Sequence, residues 1–393
     1  MDSSTQTAPP PPHTPPHRPE FLAQMDRFWN RVTEGLALNQ LWAQFRADAR
    51  ASYRLYSRDF KARPVAPGAA KPGFFHTAQD FAWALLEKLS PARRVLLLIA
   101  VLLMFGGGNM RWETKSGHVE VLTLPLQFYA GVILFVLLML EVADRVVMKR
   151  DLEIARDIQR WLLPAQPPAV PGVAIAFATR PANTVAGDYY DVFARAGSDA
   201  APPHYLIAVA DVAGKSIPAA LLMATFQASL RTLSTSSYSL PDLVAAMNQY
   251  AATNSQGGVR FTTAFLAEFD PASRSLRYIN AGHNAPVLRR RSGAVERLSA
   301  GGLPLGIMAE TKYESGEATL QTGDWLVIFT DGLIEAVNSS EEEYGEDRML
   351  SVLQAGAESA PNEMLSRMMV NVDAFVGTTP QHDDITCLVA KVL

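Results

Sequence analysis

Four acidic sites stand at chemically useful places in this sequence. Asp188 lies in VAGDYYD, Asp211 in VADVAGK, Asp331 in FTDGLIE, and Asp383-Asp384 in QHDDITC. Each borders an apolar run of strand length or a glycine turn. A rigid strand would fix the carboxylate and a turn would leave room for an ion. Carboxylate and carbonyl oxygens in turns suit hard divalent cations such as Mg2+ and Mn2+. The single cysteine, Cys387, and the absence of paired-histidine motifs argue against zinc. A lone Asp at a strand end is more often a turn former or a helix cap. It is the recurrence that points to a metal centre, because carboxylates brought together would repel one another unless cations lay between them. Two other side chains invite roles. Lys215, in the turn after Asp211, is either a contact for substrate phosphate or a solvated turn lysine. His283, in AGHNAP, is either a general acid or a structural histidine at a strand turn.

The elements that would position these residues begin at Val173. Strand-like runs are predicted at Val173–Ala178, Tyr205–Ala210, Phe261–Phe269, Leu276–Ala281, Pro286–Arg290, Trp325–Phe329 and Ile385–Val392. Helical patterns fall at Pro218–Leu233, Pro241–Thr253, Arg348–Ala357 and Asn362–Val376. Several strands are consecutive, so the expected class is α+β, with an antiparallel-rich sheet covered by helices and not a doubly wound parallel sheet.

The preceding half has a different character. The formal net charge of -4 leaves no basic footprint for nucleic acid. Residues 1–20 carry PPPP and read as a disordered tail. Residues 21–92 read as a helical cytoplasmic region, basic and amphipathic from Phe21 to Phe60, which suits a membrane surface or another helix equally. Two apolar segments, Val95–Phe105 and Leu122–Val142, flanked by Arg93-Arg94 and by Arg145, Lys149 and Arg150, predict a transmembrane hairpin over 93–143 with both ends cytoplasmic. The first segment is short, and extension to Trp112 would help it span. This places the protein in the cell (inner) membrane as a multi-pass protein with its C-terminal domain in the cytoplasm. Residues 144–164 continue as a charged linker helix. Val142, Val146, Leu152, Ala155, Ile158 and Leu162 recur at heptad-like spacing, which would suit a homodimer through residues 141–163; a single helix docked on the next domain is the alternative. Pro164 stops it, and the last domain runs over 165–393.

Along residues 151–393 stand, in order, LEIARDIQRWLLP, RPANTVAGDYYDVF, VADVAGKSIPAALLMAT, RFTTAFLAEFD, YINAGHNAPVL, GGLPLGI, GDWLVIFTDGLIEA and QHDDITCLV. Together these motifs resemble the SpoIIE-type branch of the PPM, or protein phosphatase 2C-like, family. The resemblance implies an αββα sandwich with two Mn2+ or Mg2+ ions at one end of its sheets. It implies hydrolysis of phosphoserine or phosphothreonine on a protein by water activated between two ions about 3.5–4 Å apart, with no covalent phosphoenzyme. The implied partner is a phosphorylated STAS-domain regulator of the anti-anti-sigma type. Carried over by motif, Asp211 would bridge the metals, with the Val212 carbonyl a further ligand. Asp331 and Asp383 would complete the second metal, Asp384 would serve as a ligand or a support, and Asp188 would bind directly or through water. A non-catalytic scaffold, or a membrane signal receptor with the phosphatase as its output, are the alternatives. Two departures stand out: Ala186-Gly187 where the family often has two glycines, and Gly214-Lys215-Ser216 where its second motif often reads Gly-Lys-Gly. If position 216 is left-handed, serine costs roughly 1 kcal/mol or more there.

Overall fold

The computed structural model describes residues 89–106, 126–195, 203–255 and 259–393, with Trp83, Leu86 and a strand pair at 110–113 and 119–122. The tail expected over 1–20 and nearly all of the helical region expected over 21–92 lie outside the described residues. The chain divides into two compact units, Met1–Glu141 and Val142–Leu393.

In the first unit, helix α1 (Pro91–Phe105) opens with proline at its first position, where a missing N–H costs nothing. Its 15 residues rise about 22 Å, short of the roughly 30 Å of a bilayer core. The expected extension to Trp112 does not occur. Met110–Glu113 is instead strand β1, paired antiparallel with β2 (Val119–Leu122), Met110 opposite Leu122. Of the hairpin predicted over 93–143, one helix among the described residues is long and apolar enough to cross a membrane: α2 (Leu126–Leu162).

The C-terminal part of α2 belongs to the second unit. There Leu152, Ala155, Gln159 and Leu162 turn inward, while Ile154, Ile158 and Trp161 stay exposed. The face read as a heptad seam is thus split: Leu152, Ala155 and Leu162 are half-buried, Ile158 is exposed, and the neighbouring Leu163 packs against the domain's clusters.

That domain is two sheets between two helix layers. One sheet, in the order β10-β7-β6-β5-β4 with β11 also on β7, contains β4 (Tyr189–Arg195), β5 (His204–Val212), β6 (Thr262–Asp270), β7 (Ser275–Ala281), β10 (Gly301–Gly302) and β11 (Gly316–Thr319). The other, β3-β13-β12-β8-β9, contains β3 (Val173–Arg180), β8 (Val287–Arg289), β9 (Val295–Arg297), β12 (Trp325–Phe329) and β13 (Ile385–Val392). Side chains alternate across each strand. Val192, Ile207, Val209 and Phe265 meet Leu326, Ile328, Leu388 and Ala390 between the sheets. The outer face of the first sheet packs on α3 (Ile217–Leu233) and α4 (Leu240–Asn254) through Met223, Phe226, Leu243 and Met247. The outer face of the second packs on α6 (Glu346–Ala355) and α7 (Pro361–Val376) through Met349, Leu353, Met364 and Met368. A single-turn helix, α5 (Asp331–Ile334), follows β12. This is the αββα arrangement.

Strand β4 has no counterpart among the predicted strands because Asp191 sits within it. The carboxylate is fully buried and takes Arg231 in a fork, Nε at 2.7 Å and Nη2 at 2.9 Å, and the Tyr189 hydroxyl at 2.6 Å. A partner 40 residues away makes an interior charge tolerable, which no local pattern reveals.

Candidate metal centre

Strand pairing assembles the acidic sites. β4 and β5 are antiparallel with Tyr189 opposite Ala210, so Asp188 and Asp211 are the next pair along. β12 and β13 are antiparallel with Phe329 opposite Cys387, which puts Asp331, just past β12, at the same end as Asp383-Asp384, just before β13. The two sheets are stitched together there: Thr330 Oγ1 donates to Asp188 Oδ2 at 2.9 Å and accepts from Thr386 N at 2.9 Å.

The electrostatics register this convergence. Asp188 is 1% exposed, and burial, then the charge of Asp211, raise its carboxyl well above the usual range. Burial, then Asp331 and Asp383, push Asp211 up to about 7. Burial and Asp383 raise Asp331. Asp384 is raised by burial, although its oxygens accept from Ala182 N at 2.7 Å and Gly187 N at 2.6 Å. Glu335 joins the field, raised by burial and then by Asp331.

Two glycines make the crowding possible. A Cβ on Gly187 would stand 3.1 Å from the Val212 carbonyl oxygen and 3.2 Å from Ala219 Cβ. One on Gly332 would stand 2.1 Å from the Asp384 carbonyl oxygen, so only glycine fits after Asp331.

Among the described residues no three His, Cys, Asp or Glu side chains stand as a ready-made ligand group. Lys215 lies among them, with Nζ 2.9 Å from Asp383 Oδ2 and donating to the His382 carbonyl at 2.6 Å. The donor set still fits a hard divalent cation: every donor is oxygen, the carboxylates repel one another, and a cation already rests on one of them. Asp188, Asp211, Asp331 and Asp383 are the side chains able to hold it, with the Val212 carbonyl beside Gly187. Asp384 is committed to two backbone N–H groups.

His283 is 7% exposed, and burial pushes its imidazole down to about 4, so it is neutral at pH 7. Its Nδ1 lies 3.1 Å from Thr263 Oγ1, which reaches the Asp211 carbonyl at 3.4 Å. It stands behind the Asp211 strand end, one residue removed from the acidic cluster.

Three contributors went unnoticed in the sequence. Thr330 joins the sheets. Gln159, on α2, clasps the backbone of Ala186: Nε2 donates to its carbonyl at 2.7 Å and Oε1 accepts its N–H at 3.0 Å. Arg180, at the end of β3, lines a cleft of about 270 Å³ with Lys215, Glu335 and Asp383. The LEIARDIQRWLLP motif was the one signal that could have singled out Gln159.

Residues 201–393 match the family described as Stage II sporulation protein E (SpoIIE). The C-terminal domain is thus similar to SpoIIE/PP2C-type phosphatase domains. It is similar to "Phosphoserine phosphatase RsbU" of Bacillus subtilis, 30% identical over 189 residues, which is 48% of this chain and 54% of that one. It is also similar to "Protein IcfG" of Synechocystis sp., 28% identical over 270 residues, covering 62% of this chain and 41% of the other. The chain therefore spans about half the length of these relatives, 41% and 54%. In structure the domain resembles the SiaA-PP2C domain of Pseudomonas aeruginosa, with a TM-score of 0.56 and 24% identity, over 63% of this chain and 98% of that one. That likeness bears on the fold, and the SpoIIE/PP2C-type αββα sandwich accounts for the end-on placement of all five acidic residues.

Proposed function

We propose that this SpoIIE/PP2C-type domain is a Mn2+- or Mg2+-dependent protein serine/threonine phosphatase that uses two ions. The observation that carries the reading is the convergence of Asp188, Asp211, Asp331 and Asp383 from two sheets, where, on top of burial, Asp211 raises Asp188, Asp331 and Asp383 raise Asp211, and Asp383 raises Asp331. When bound, divalent ions supply a Lewis acid that acidifies water and neutralises charge on a phosphoryl group. The chain's own residues do the rest. Asp211, at the end of a buried strand, would hold the ions together with Asp188, Asp331 and Asp383. Asp384, Gly187 and Thr330 hold Asp188 against that strand end. Arg180 and Lys215 line the adjoining cleft, where a substrate phosphate would meet positive charge. Lys215 is half exposed beside Asp383, from where its ammonium would reach such a phosphate.

The substrate in this reading is a phosphoserine or phosphothreonine on a STAS-domain regulator of the anti-anti-sigma type, in keeping with a relative that is itself a phosphoserine phosphatase. Membrane attachment rests on α2, the apolar helix that runs without a break into the domain. Val147, Ile154, Ile158 and Trp161 are exposed and give residues 141–163 a surface on which two copies would pair.

The test is Mn2+-dependent release of phosphate from a phosphoserine protein by the full-length chain in detergent, beside Asp211→Asn. The expected outcome is activity that requires the metal and falls by about 10³-fold or more in the variant, equivalent to roughly 4 kcal/mol of transition-state stabilisation. Folded wild-type protein without metal-dependent activity would overturn the phosphatase reading and leave a binding module.

A further inference from the structure

A second polar site lies at the far end of the β12–β13 sheet from the carboxylates. Strand register puts Arg289 opposite Trp325, and Trp325 opposite Lys391, so the three side chains form one row across β8, β12 and β13. The row is on the face that packs against the helices, as Trp325 and Val287 show. Trp325 is fully buried and anchored by Nε1 to the Ala357 carbonyl at 3.0 Å, under the loop between α6 and α7. Lys391 Nζ stands 5.2 Å from the indole ring and donates to the Ser359 carbonyl at 3.0 Å.

Arg289 is the anomaly. It is 8% exposed, yet its Nε has no hydrogen-bond partner, and the one bond it makes is Nη1 to the neighbouring Arg290 carbonyl at 3.4 Å. A guanidinium presents five N–H donors, and burying one without a counter-charge is costly. By contrast, Arg195 and Arg290, buried and half-buried in the same domain, are paired. Arg195 meets Glu268 at 2.6 Å, and Arg290 meets Asp324 at 2.9 Å. Arg289 opens into a cavity of about 310 Å³ that Arg291 and Lys391 also line, along with Thr322 and the backbone of Gly323. Glu358 is the one carboxylate side chain on its wall; Leu393, the last residue, also lines it, and its carbonyl oxygen accepts from Thr322 Oγ1 at 3.0 Å.

We infer that this cavity binds a small anion carrying a phosphate group, held by Arg289 from below and by Arg291 and Lys391 from the rim. A planar guanidinium matches two phosphate oxygens at once, and a lysine adds a point charge. The volume accommodates inorganic phosphate or a small phosphate monoester. At about 3.3 Å per residue along β12 and β13, the site lies roughly 20 Å from the acidic end. It is separate from the proposed phosphatase centre and does not depend on it.

The experiment is a thermal-unfolding titration of the full-length protein in detergent, stripped of divalent ions with EDTA so that the acidic end cannot hold phosphate through metal. Inorganic phosphate and glycerol 3-phosphate are the two probes, with ionic strength held constant by KCl. A saturable rise in Tm of about 3–6 °C at ten times the half-saturating concentration is expected for at least one probe. The probe with the lower half-saturation identifies free phosphate or monoester as the ligand. Arg289→Met should abolish the response while its unliganded Tm holds or rises, since a buried unpaired cation is removed. Arg291→Gln, at an exposed position, should raise half-saturation several-fold and covers the case in which the Met variant does not fold. No saturable response in the wild type, or an undiminished response in a folded Arg289→Met or Arg291→Gln, would overturn the assignment.

Discussion

The turn that leads into Asp188 and the turn that leaves Asp211 treat their backbone in opposite ways. Residues 181–188 are held from three directions: Gln159 grips Ala186, Asp384 accepts from Ala182 and Gly187, and Thr330 holds Asp188. Past the end of β5, residues 213–216 are held at their two ends only, by Ala213 N to the Phe261 carbonyl at 2.9 Å and by Ala220 N to the Ser216 carbonyl at 3.1 Å. Gly214 takes φ 116°, Ser216 takes φ 66°, and Lys215 reaches out to Asp383. A Cβ on Gly214 would meet nothing within 4 Å, so the second turn is open as well as strained. The site therefore has a fixed wall and an adjustable one. In the proposed metal centre the fixed wall would set where an ion sits, and the adjustable wall would close on it.

Cutting the fixed wall should cost the most stability. Asp384→Ala removes the acceptor of two N–H groups, one of them buried, and should lower metal-free stability by about 2–4 kcal/mol in chemical denaturation. A loss below about 0.5 kcal/mol would mean the wall is held elsewhere. The adjustable wall leans on a neutral imidazole, and that is visible through pH. The folded His283 has its pKa depressed to about 4 from 6.5. Between those values the unfolded chain binds a proton that the folded chain does not, so stability falls as pH falls through this window. The penalty is at most about 3 kcal/mol at pH 4 and vanishes above pH 6.5. The difference in stability between wild type and His283→Gln, measured from pH 7 to 4, should follow that curve. A constant difference would place the imidazole in contact with solvent.

The fixed and adjustable walls were not equally legible. Apolar runs ending on Asp211 and Asp331 gave the strand ends and the acidic positions, because burial of a strand leaves a plain hydrophobic signature. Consecutive strands gave the α+β layering. Gly187 and Gly332 sit where backbones nearly touch, and their motifs drew attention to them. The bonds of the fixed wall were invisible: Thr330 meets Asp188 across 142 residues, and Gln159 meets Ala186 across 27. A polar side chain in a helix reads as solvent-facing until its partner is known. The same blindness hid β4, whose Asp191 is neutralised by an arginine on α3. On α2 the heptad-like set divides: Val142, Val146 and Ile158 are exposed, whereas Leu152, Ala155 and Leu162 are half-buried, a split that spacing along a helix does not show.

Gln159 sharpens the comparison because it ties the fixed wall to the helix that carries the apolar segment. Gln159→Leu keeps the size of the side chain and leaves the Ala186 N–H and carbonyl without partners, at a cost of about 1–3 kcal/mol. If the clasp sets the position of Asp188, the variant should also need several-fold more Mn2+ for half-maximal phosphate release. A stability loss with no change in metal requirement would make Gln159 a packing residue only.

The smallest effect tests the adjustable wall itself. Ser216 has φ 66° and ψ -146°, a combination that side chains resist, and it precedes α3 without forming a side-chain cap bond. Ser216→Gly relieves the strain and gives up no hydrogen bond, but it also loosens the unfolded chain. The balance should be a gain of about 0.5–1 kcal/mol, read as a Tm rise of roughly 1–4 °C in the metal-free protein. If strain keeps this turn ready to close on an ion, the glycine variant should gain less stability when Mn2+ is added than the wild type does. If the turn already has its final shape, both proteins should gain equally. The second result would collapse the distinction between the two walls.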